Sequence, residues 1–256
     1  MAYYQHNLDP VAFSLFSFSI RWYAIVYALG FILIPRYIKF VINKKNLGIS
    51  SEFIDDLSTI SMLGIIMGAR LSYVVFYDYT YYLSTWDLME VFRIYHGGLS
   101  FHGGVLGGAI SIYWLCKKYK INFWLIVDLI CIILPIFLFF GRIANFINGE
   151  LYGRPTKVAW GVIFDDEIVR HPSQIYESLT EGLLLTIILN ILGWRFEKLK
   201  TTGFISISFI GLYSIIRFFN EFFRESELYF YCLSMGQILS IFMLVASCYA
   251  FKKINK

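Results

Sequence analysis

The sequence predicts an all-α integral membrane protein of seven transmembrane helices, with the N-terminus outside and the C-terminus in the cytoplasm. Three observations carry that prediction. The first is composition: of 256 residues, 58% are hydrophobic and 20% aromatic, and the mean hydropathy is +0.62, more apolar than an ordinary soluble domain. The second is that seven segments are apolar over the roughly 20 residues a helix needs to cross a hydrocarbon core. They run over about residues 19–42, 56–77, 99–119, 121–141, 174–194, 203–223 and 235–252. The third is that the basic clusters between them alternate from one end to the other.

The elements follow in order. The N-terminal stretch MAYYQHNLDP has no basic region and no small-residue cleavage site before the first apolar run, so no removable signal peptide is expected. Arg36, Lys39, Lys44 and Lys45 go with the end of the first span, and Lys117, Lys118 and Lys120 with the third. Arg195, Lys198 and Lys200 follow the fifth, and Lys252, Lys253 and Lys256 close the chain. The positive-inside rule puts these clusters in the cytoplasm. The chain then reads as one multi-pass membrane domain over residues 1–256, with outer-face segments at about 78–98 and 142–173.

The same charges exclude several functions. The basic residues are divided across a membrane rather than gathered on one face, so no nucleic-acid partner is expected. There is no phosphate-cradling P-loop, no GxSxG elbow, no HExxH and no internal repeat. Cys116, Cys131, Cys232 and Cys248 stand in apolar surroundings without CxxC spacing or a histidine at metal-ligand distance. They are expected to be packing residues, with no metal and no cofactor.

Nine basic residues fall outside the cytoplasmic set: Arg21, Arg70, Arg93, Arg142, Arg154, Lys157, Arg170, Arg217 and Arg224. Eight of the nine are arginine, whose planar fork suits phosphate or carboxylate, whereas the cytoplasmic set is mostly lysine. The outer half is therefore expected to hold an anion. The competing reading is structural, because Glu150, Glu177, Glu181, Glu221 and Glu225 share that half and can pair with arginines.

Four stretches sharpen the choice. GRIANFINGELYG, Gly141 to Gly153, leaves an apolar run and at once places Arg142, Asn145, Asn148 and Glu150. GARLSY puts Arg70 inside the second span, where an ionised side chain costs about 2.5–3.5 kcal/mol on insertion scales; a buried pair with a glutamate or Asp128 is one explanation. HGGLSFHGGVLGG carries Gly103, Gly104, Gly107 and Gly108, two pairs four apart that let another helix come close. It leaves His102 at the outer end of its helix as a candidate proton acceptor; His6, His96 and His171 are weaker candidates. In the sixth span Tyr213, Arg217, Glu221 and Arg224 line one helical face, which is expected to face the bundle interior or a water-filled cavity. A salt-bridge ladder that locks helices together is the alternative.

GRIANFINGELYG also resembles the signature of the bacterial prolipoprotein diacylglyceryl transferases. The resemblance extends to IRWY at Ile20 to Tyr23, GARLSYVVFY in the second span, GGLSFHGG in the third, HPSQIYE at His171 to Glu177, RFFNEFFRE in the sixth and MGQILS at Met235 to Ser240. One departure is RESE at Arg224 to Glu227, where such relatives often read REPD.

The resemblance implies transfer of the diacylglyceryl group of phosphatidylglycerol to the lipobox cysteine thiol of a prolipoprotein signal peptide. A thioether forms and glycerol phosphate leaves, at the outer face of the bacterial inner membrane. It implies His102, Arg142 and Arg217 as catalytic residues. Headgroup and glycerol contacts would come from Tyr23, Arg142, Asn145, Asn148, Glu150, Gly153, Tyr213, Arg217, Glu221 and Arg224. Gly153 is expected to permit the turn after the signature, and His102 is read either as a base or as a positioning residue. The reading from a different class is a lipid or solute transporter whose outer cavity binds anions without breaking bonds.

Overall fold

The computed structural model describes residues 3–16, 18–80, 88–93, 97–195, 199, 201–226 and 228–254. Tyr95, His96, Lys198, Lys200, Glu227 and Lys256 lie outside the described residues, as does much of the expected segment 78–98. Seven long helices fall on the seven apolar stretches: α1 Trp22–Lys45, α2 Ser51–Phe76, α3 Phe101–Tyr119, α4 Phe123–Ile147, α5 Ser173–Trp194, α6 Phe204–Asn220 and α7 Met235–Ile254. Five of them, α1, α2, α4, α5 and α7, are long and apolar enough to cross a membrane.

The other two helices fall short for different reasons. The 17 residues of α6 rise only about 26 Å, against a hydrocarbon core of about 30 Å. Glycines and the closing Lys117 and Lys118 dilute the apolarity of α3. Large apolar side chains remain exposed along the helices, among them Val105, Leu106 and Ile110 of α3 and Phe242, Val245 and Tyr249 of α7. In water such a surface would be costly, and lipid removes the cost. The chain is a multi-pass membrane protein.

Short strands lie outside the all-α expectation. They are β1 Tyr4–Gln5, β2 Val11–Leu15, β3 Phe18–Arg21, β4 Val162–Ile163, β5 Val169–Arg170, β6 Tyr229–Phe230 and β7 Leu233–Ser234. β1 pairs in parallel with β4, which pairs antiparallel with β5, while β2–β3 and β6–β7 are hairpins. Two- to five-residue strands have too few positions to show alternation against an apolar background.

The chain forms two compact units. In the unit over residues 31–123, α2 and α3 meet backbone to backbone. A Cβ on Gly68 would stand 2.4 Å from the Gly103 carbonyl oxygen, and one on Gly107 would stand 2.1 Å from that of Gly64. The expected close approach at the α3 glycines is there, and Gly64 and Gly68 are its other half. Ser100 caps α3 by accepting from the Gly103 N–H. At the far end of the pair, Asp56 accepts from Tyr119 Oη at 2.8 Å and Lys118 Nζ at 3.1 Å.

Arg70 is buried in α2, and its guanidinium donates to backbone carbonyls. Its Nε donates to the Val91 carbonyl at 2.8 Å, Nη1 to Gly97 and Gly98 at 2.6 and 3.1 Å, and Nη2 to Arg93 at 3.3 Å. A planar donor fork satisfies four carbonyls, one in the short 3-10 turn Leu88–Phe92 and three in the chain after it. Arg70 fastens the loop before α3.

The other unit, residues 1–30 and 124–256, holds α4 to α7 and all the strands. Asp128 of α4 is fully buried and accepts from the Gly203 and Ser206 N–H groups at 2.6 and 2.7 Å. It caps α6 from a neighbouring helix, which accounts for a carboxylate inside an apolar span. Gly182 brings α5 against the Phe139 backbone, and Gly211 brings α6 against Ser247 of α7.

Candidate headgroup site

The C-terminal part of α4, the N-terminal part of α5 and the C-terminal end of α6 meet at six charged side chains. Arg142 comes from α4, Glu177 and Glu181 from α5, and Arg217 with Glu221 and Arg224 from α6 and the turn after it. Arg142 Nε stands 2.9 Å from Glu177 Oε2, and Nη2 stands 3.3 Å from Glu181 Oε2. Arg217 Nη1 reaches Glu177 Oε1 at 3.1 Å and Glu181 Oε1 at 3.4 Å, and Nη2 reaches Glu221 Oε2 at 2.8 Å. Arg224 Nη1 reaches Glu177 Oε1 at 3.3 Å. One carboxylate thus meets three guanidiniums.

The two signs are buried unequally. Side-chain exposure is 0% for Glu177 and 1% for Glu181, against 18% for Arg142, 15% for Arg217 and 18% for Arg224. The carboxylates form a floor and the arginines retain access. Among the described residues no hydrogen bond uses Arg142 Nη1, or Nε and Nη2 of Arg224. Unused N–H groups on partly accessible guanidiniums are what a tetrahedral oxyanion needs.

Neighbouring groups fix the floor. Asn220 Nδ2 donates to Glu181 Oε1 at 3.1 Å and to Thr180 Oγ1 at 2.9 Å, and Ser226 Oγ donates to Glu221 Oε1 at 2.5 Å. A side chain on Gly236 would stand 2.6 Å from the Glu221 carboxyl carbon, so only glycine leaves room for that carboxylate at the start of α7. The Tyr213 ring stacks on Phe209, and its hydroxyl lies within electrostatic reach of Arg142, Arg217, Glu177 and Glu181. Between Glu177 and Leu185 the helix opens into π turns over Ser178–Leu184, a wider geometry concentrated at functional sites.

The signature after Arg142 builds a second, smaller cluster. Asn145 and Asn148 both donate to Glu150 Oε1, at 2.7 and 3.2 Å, and Gln174 Nε2 donates to the Glu150 carbonyl at 2.7 Å. The side-chain amides of Asn145 and Asn148 thus both hold Glu150. The turn is made by Gly149 and Leu151, with φ of +68° and +57°. Gly153 does something other than the turn expected of it. A Cβ there would stand 2.4 Å from the Phe223 carbonyl oxygen and 2.7 Å from that of His171. It lets the chain thread between these two backbones, donating its N–H to His171 and bridging to Arg224.

Arg154 and Arg170 make structural contacts. Arg154 donates to the Arg224 carbonyl at 2.9 Å and to Tyr229 Oη at 2.7 Å. Arg170 bonds to Asp166, meets Glu225 at 2.7 Å and lies over the Tyr152 ring at 4.7 Å. Tyr23 lies beside Tyr27, hydroxyl to hydroxyl at 3.4 Å. His102 belongs to the residue 31–123 unit, exposed in the first turn of α3 and edge-on to Phe101.

His171 touches Tyr176 and Phe223 edge-on, its Nδ1 3.1 Å from Tyr176 Oη, which accepts from Trp160 Nε1 at 2.7 Å. Burial pushes the His171 pKa below its usual value. Of the cysteines, Cys116 and Cys131 are buried as packing residues should be, whereas Cys232 and Cys248 are exposed. Among the described residues no group of His, Cys, Asp and Glu is placed to hold a metal ion.

Glu177 and Glu181 were legible in the sequence only as possible counter-charges. The available signal was two carboxylates four residues apart at the start of an apolar span, the expected arrangement for one polar helical face.

The match to known proteins covers the whole arrangement. The family model for prolipoprotein diacylglyceryl transferase matches residues 10–252. Proteins called phosphatidylglycerol–prolipoprotein diacylglyceryl transferase in Rickettsia rickettsii strain Sheila Smith and Rickettsia typhi are each 42% identical over 255 residues, and one in Rickettsia conorii is 41% identical. In each case 97% of this chain and 98% of the relative are covered. A full-length match of this kind, with the arginine–glutamate cluster inside it, makes the chain a member of the prolipoprotein diacylglyceryl transferase family.

Proposed function

We propose that Arg142, Arg217 and Arg224 receive the headgroup phosphate of phosphatidylglycerol in this chain's reaction. The chain is a phosphatidylglycerol–prolipoprotein diacylglyceryl transferase. It moves the diacylglyceryl group from the lipid to the cysteine thiol of a prolipoprotein, the first step of lipoprotein maturation. The S–C bond forms as the glyceryl C–O bond breaks, and the electron pair goes to the phosphate oxygen. An alkyl phosphate leaves readily only when its growing charge meets positioned donors, and such charge in a water-poor site is usually the largest catalytic contribution. The observation that carries the assignment is the convergence of three partly accessible guanidiniums on buried Glu177.

The remaining roles follow the same reading. Tyr213 and Glu221 complete the headgroup surface. Asn145, Asn148 and Glu150 form a hydrogen-bonded rim for the glycerol hydroxyls, with Gly153 holding the rim against the α6 turn. Tyr23 serves the lipid from the start of α1, and His102 serves the thiol, whose pKa of about 8.5 leaves it mostly protonated at neutral pH. The acceptor is the lipobox signal peptide of the prolipoprotein.

All seven helices span the bacterial inner membrane, with the N-terminus and the segments 78–98 and 142–173 outside. Lysines in the last turns of α1, α3 and α7 support that orientation.

Purified protein incubated with radiolabelled phosphatidylglycerol and a lipobox peptide yields labelled peptide, whereas a carrier would only bind the lipid. Arg142→Lys keeps the charge and loses the fork, so its turnover falls by at least tenfold. Near-normal turnover by the lysine variant overturns the role given to Arg142.

A further inference from the structure

Three guanidiniums and three carboxylates balance, so the headgroup site is electrically neutral before any lipid enters. A site meant only to attract phosphate would not bury Glu177 and Glu181 completely beneath its arginines. Taking an ion pair out of water carries a desolvation cost that the pairing repays only in part, and anion binding alone does not require the chain to accept it.

The chemistry of the product supplies the reason. Phosphatidylglycerol presents a phosphodiester with one negative charge. When the C–O bond breaks, the electron pair stays on the phosphate, and the thiol's proton goes to a base or to water. The product is a phosphomonoester with a second ionisable oxygen, carrying about −1.5 to −2 at pH 7. Three uncompensated arginines would hold that product more tightly than the substrate, and release would limit turnover.

We propose that Glu177 and Glu181 are resident counter-ions, displaced from the arginines by the substrate phosphate and reclaiming them to expel glycerol phosphate. This rests on the headgroup reading above. The geometry suits an exchange. Both glutamates touch both Arg142 and Arg217, so each arginine keeps one carboxylate partner while the other is displaced. The long contacts, 3.3 Å from Arg142 Nη2 to Glu181 and 3.4 Å from Arg217 Nη1 to Glu181, are the weaker ones to displace. Asn220 Nδ2, 3.1 Å from Glu181 Oε1, and Thr180 beyond it keep that carboxylate in place when a guanidinium turns away. The π turns over Ser178–Leu184 lie in the same stretch as Glu181, and wider turns of this kind tolerate small rearrangements that a regular helix resists. Glu177 and Glu181 are positioning residues by this account, since they act on the phosphate through the arginines.

The test uses the full chain in detergent, with phosphatidylglycerol, a lipobox peptide and added glycerol phosphate. Glu177→Gln and Glu181→Gln each leave the arginines with excess positive charge. Glycerol phosphate then inhibits at about tenfold lower concentration than in the wild type, kcat falls, and KM for phosphatidylglycerol does not rise. Glu177→Asp keeps the charge and restores wild-type sensitivity to glycerol phosphate. In the wild type itself, glycerol phosphate shifts the carboxylate stretching bands in the infrared difference spectrum, a readout that needs no variant to fold. Glutamine variants with normal melting temperature and unchanged or weaker product inhibition overturn the inference, as does a silent carboxylate region in the wild type. If glycerol phosphate does not compete with phosphatidylglycerol in the wild type, the headgroup reading falls too; if it competes and both glutamine variants match the wild type, only the counter-ion role falls.

Discussion

Arg217 and Glu221, one turn apart on α6, meet at 2.8 Å, while the same guanidinium reaches Glu177 and Glu181 on α5 at 3.1 and 3.4 Å. The polar stripe of α6 is therefore part of an inter-helix network, the arrangement a salt-bridge ladder locking helices together would have. Residues sharing a network do not contribute independently. Arg217→Ala and Glu221→Ala each lower transfer strongly, and the double variant is less impaired than the product of the two effects, by a coupling of about 0.5–3 kcal/mol. Initial rates of the four proteins in one detergent measure it, and additive losses would show that the two side chains act separately.

His102 stands exposed in the first turn of α3, where an imidazole can exchange protons with solvent. If it assists removal of the thiol proton, its help matters least where the thiol ionises unaided. His102→Gln then reduces turnover more at pH 6.5 than at pH 9, above the thiol's pKa of about 8.5. An equal loss at both pH values assigns His102 to positioning.

The α2–α3 contact leaves no space for a methyl group at Gly107, where a Cβ would lie 2.1 Å from the Gly64 carbonyl oxygen. Gly107→Ala forces two helix backbones apart and costs about 1–3 kcal/mol. The control is Gly141→Ala in α4, whose Cβ would meet no atom within 4 Å and which should be neutral or slightly stabilising. Thermal unfolding in detergent compares the two. Equal melting temperatures would mean that the helices separate without cost.

His171 accounts for a pH dependence of stability. The Tyr176 hydroxyl accepts from Trp160 and so offers its own proton to His171 Nδ1, which suits the neutral imidazole. Burial lowers the folded pKa, while the unfolded residue titrates at about 6.5. Between the two values the unfolded chain binds more protons. The contribution is complete above about pH 6.5 and is lost as pH falls through the folded pKa. The wild type should lose melting temperature on going from pH 7.5 to 5 by more than His171→Gln does. Parallel curves would remove His171 as the cause.

The sequence by itself determined where the helices lie, because apolarity over roughly 20 residues is a local property that needs no partner to be read. It also determined that α3 must meet another backbone closely and that Arg142, Arg217 and Arg224 are chemically suited to an anion. Which arginines remain accessible was decided only by tertiary structure. Arg70 and Arg154 look no different in the chain from Arg142, yet they fasten loop carbonyls, whereas Arg142 faces two glutamates from another helix. Glu177 and Glu181 lie 35 or more residues from the arginines they hold, and no spacing rule spans such a distance. Gly153 shows the same division: its turn-like setting in GELYG is visible locally, but the carbonyls that exclude a side chain come from residues 171 and 223. Propensity and hydropathy act along the chain, whereas pairing and exclusion act across it, and only packing chooses among the partners that local chemistry allows.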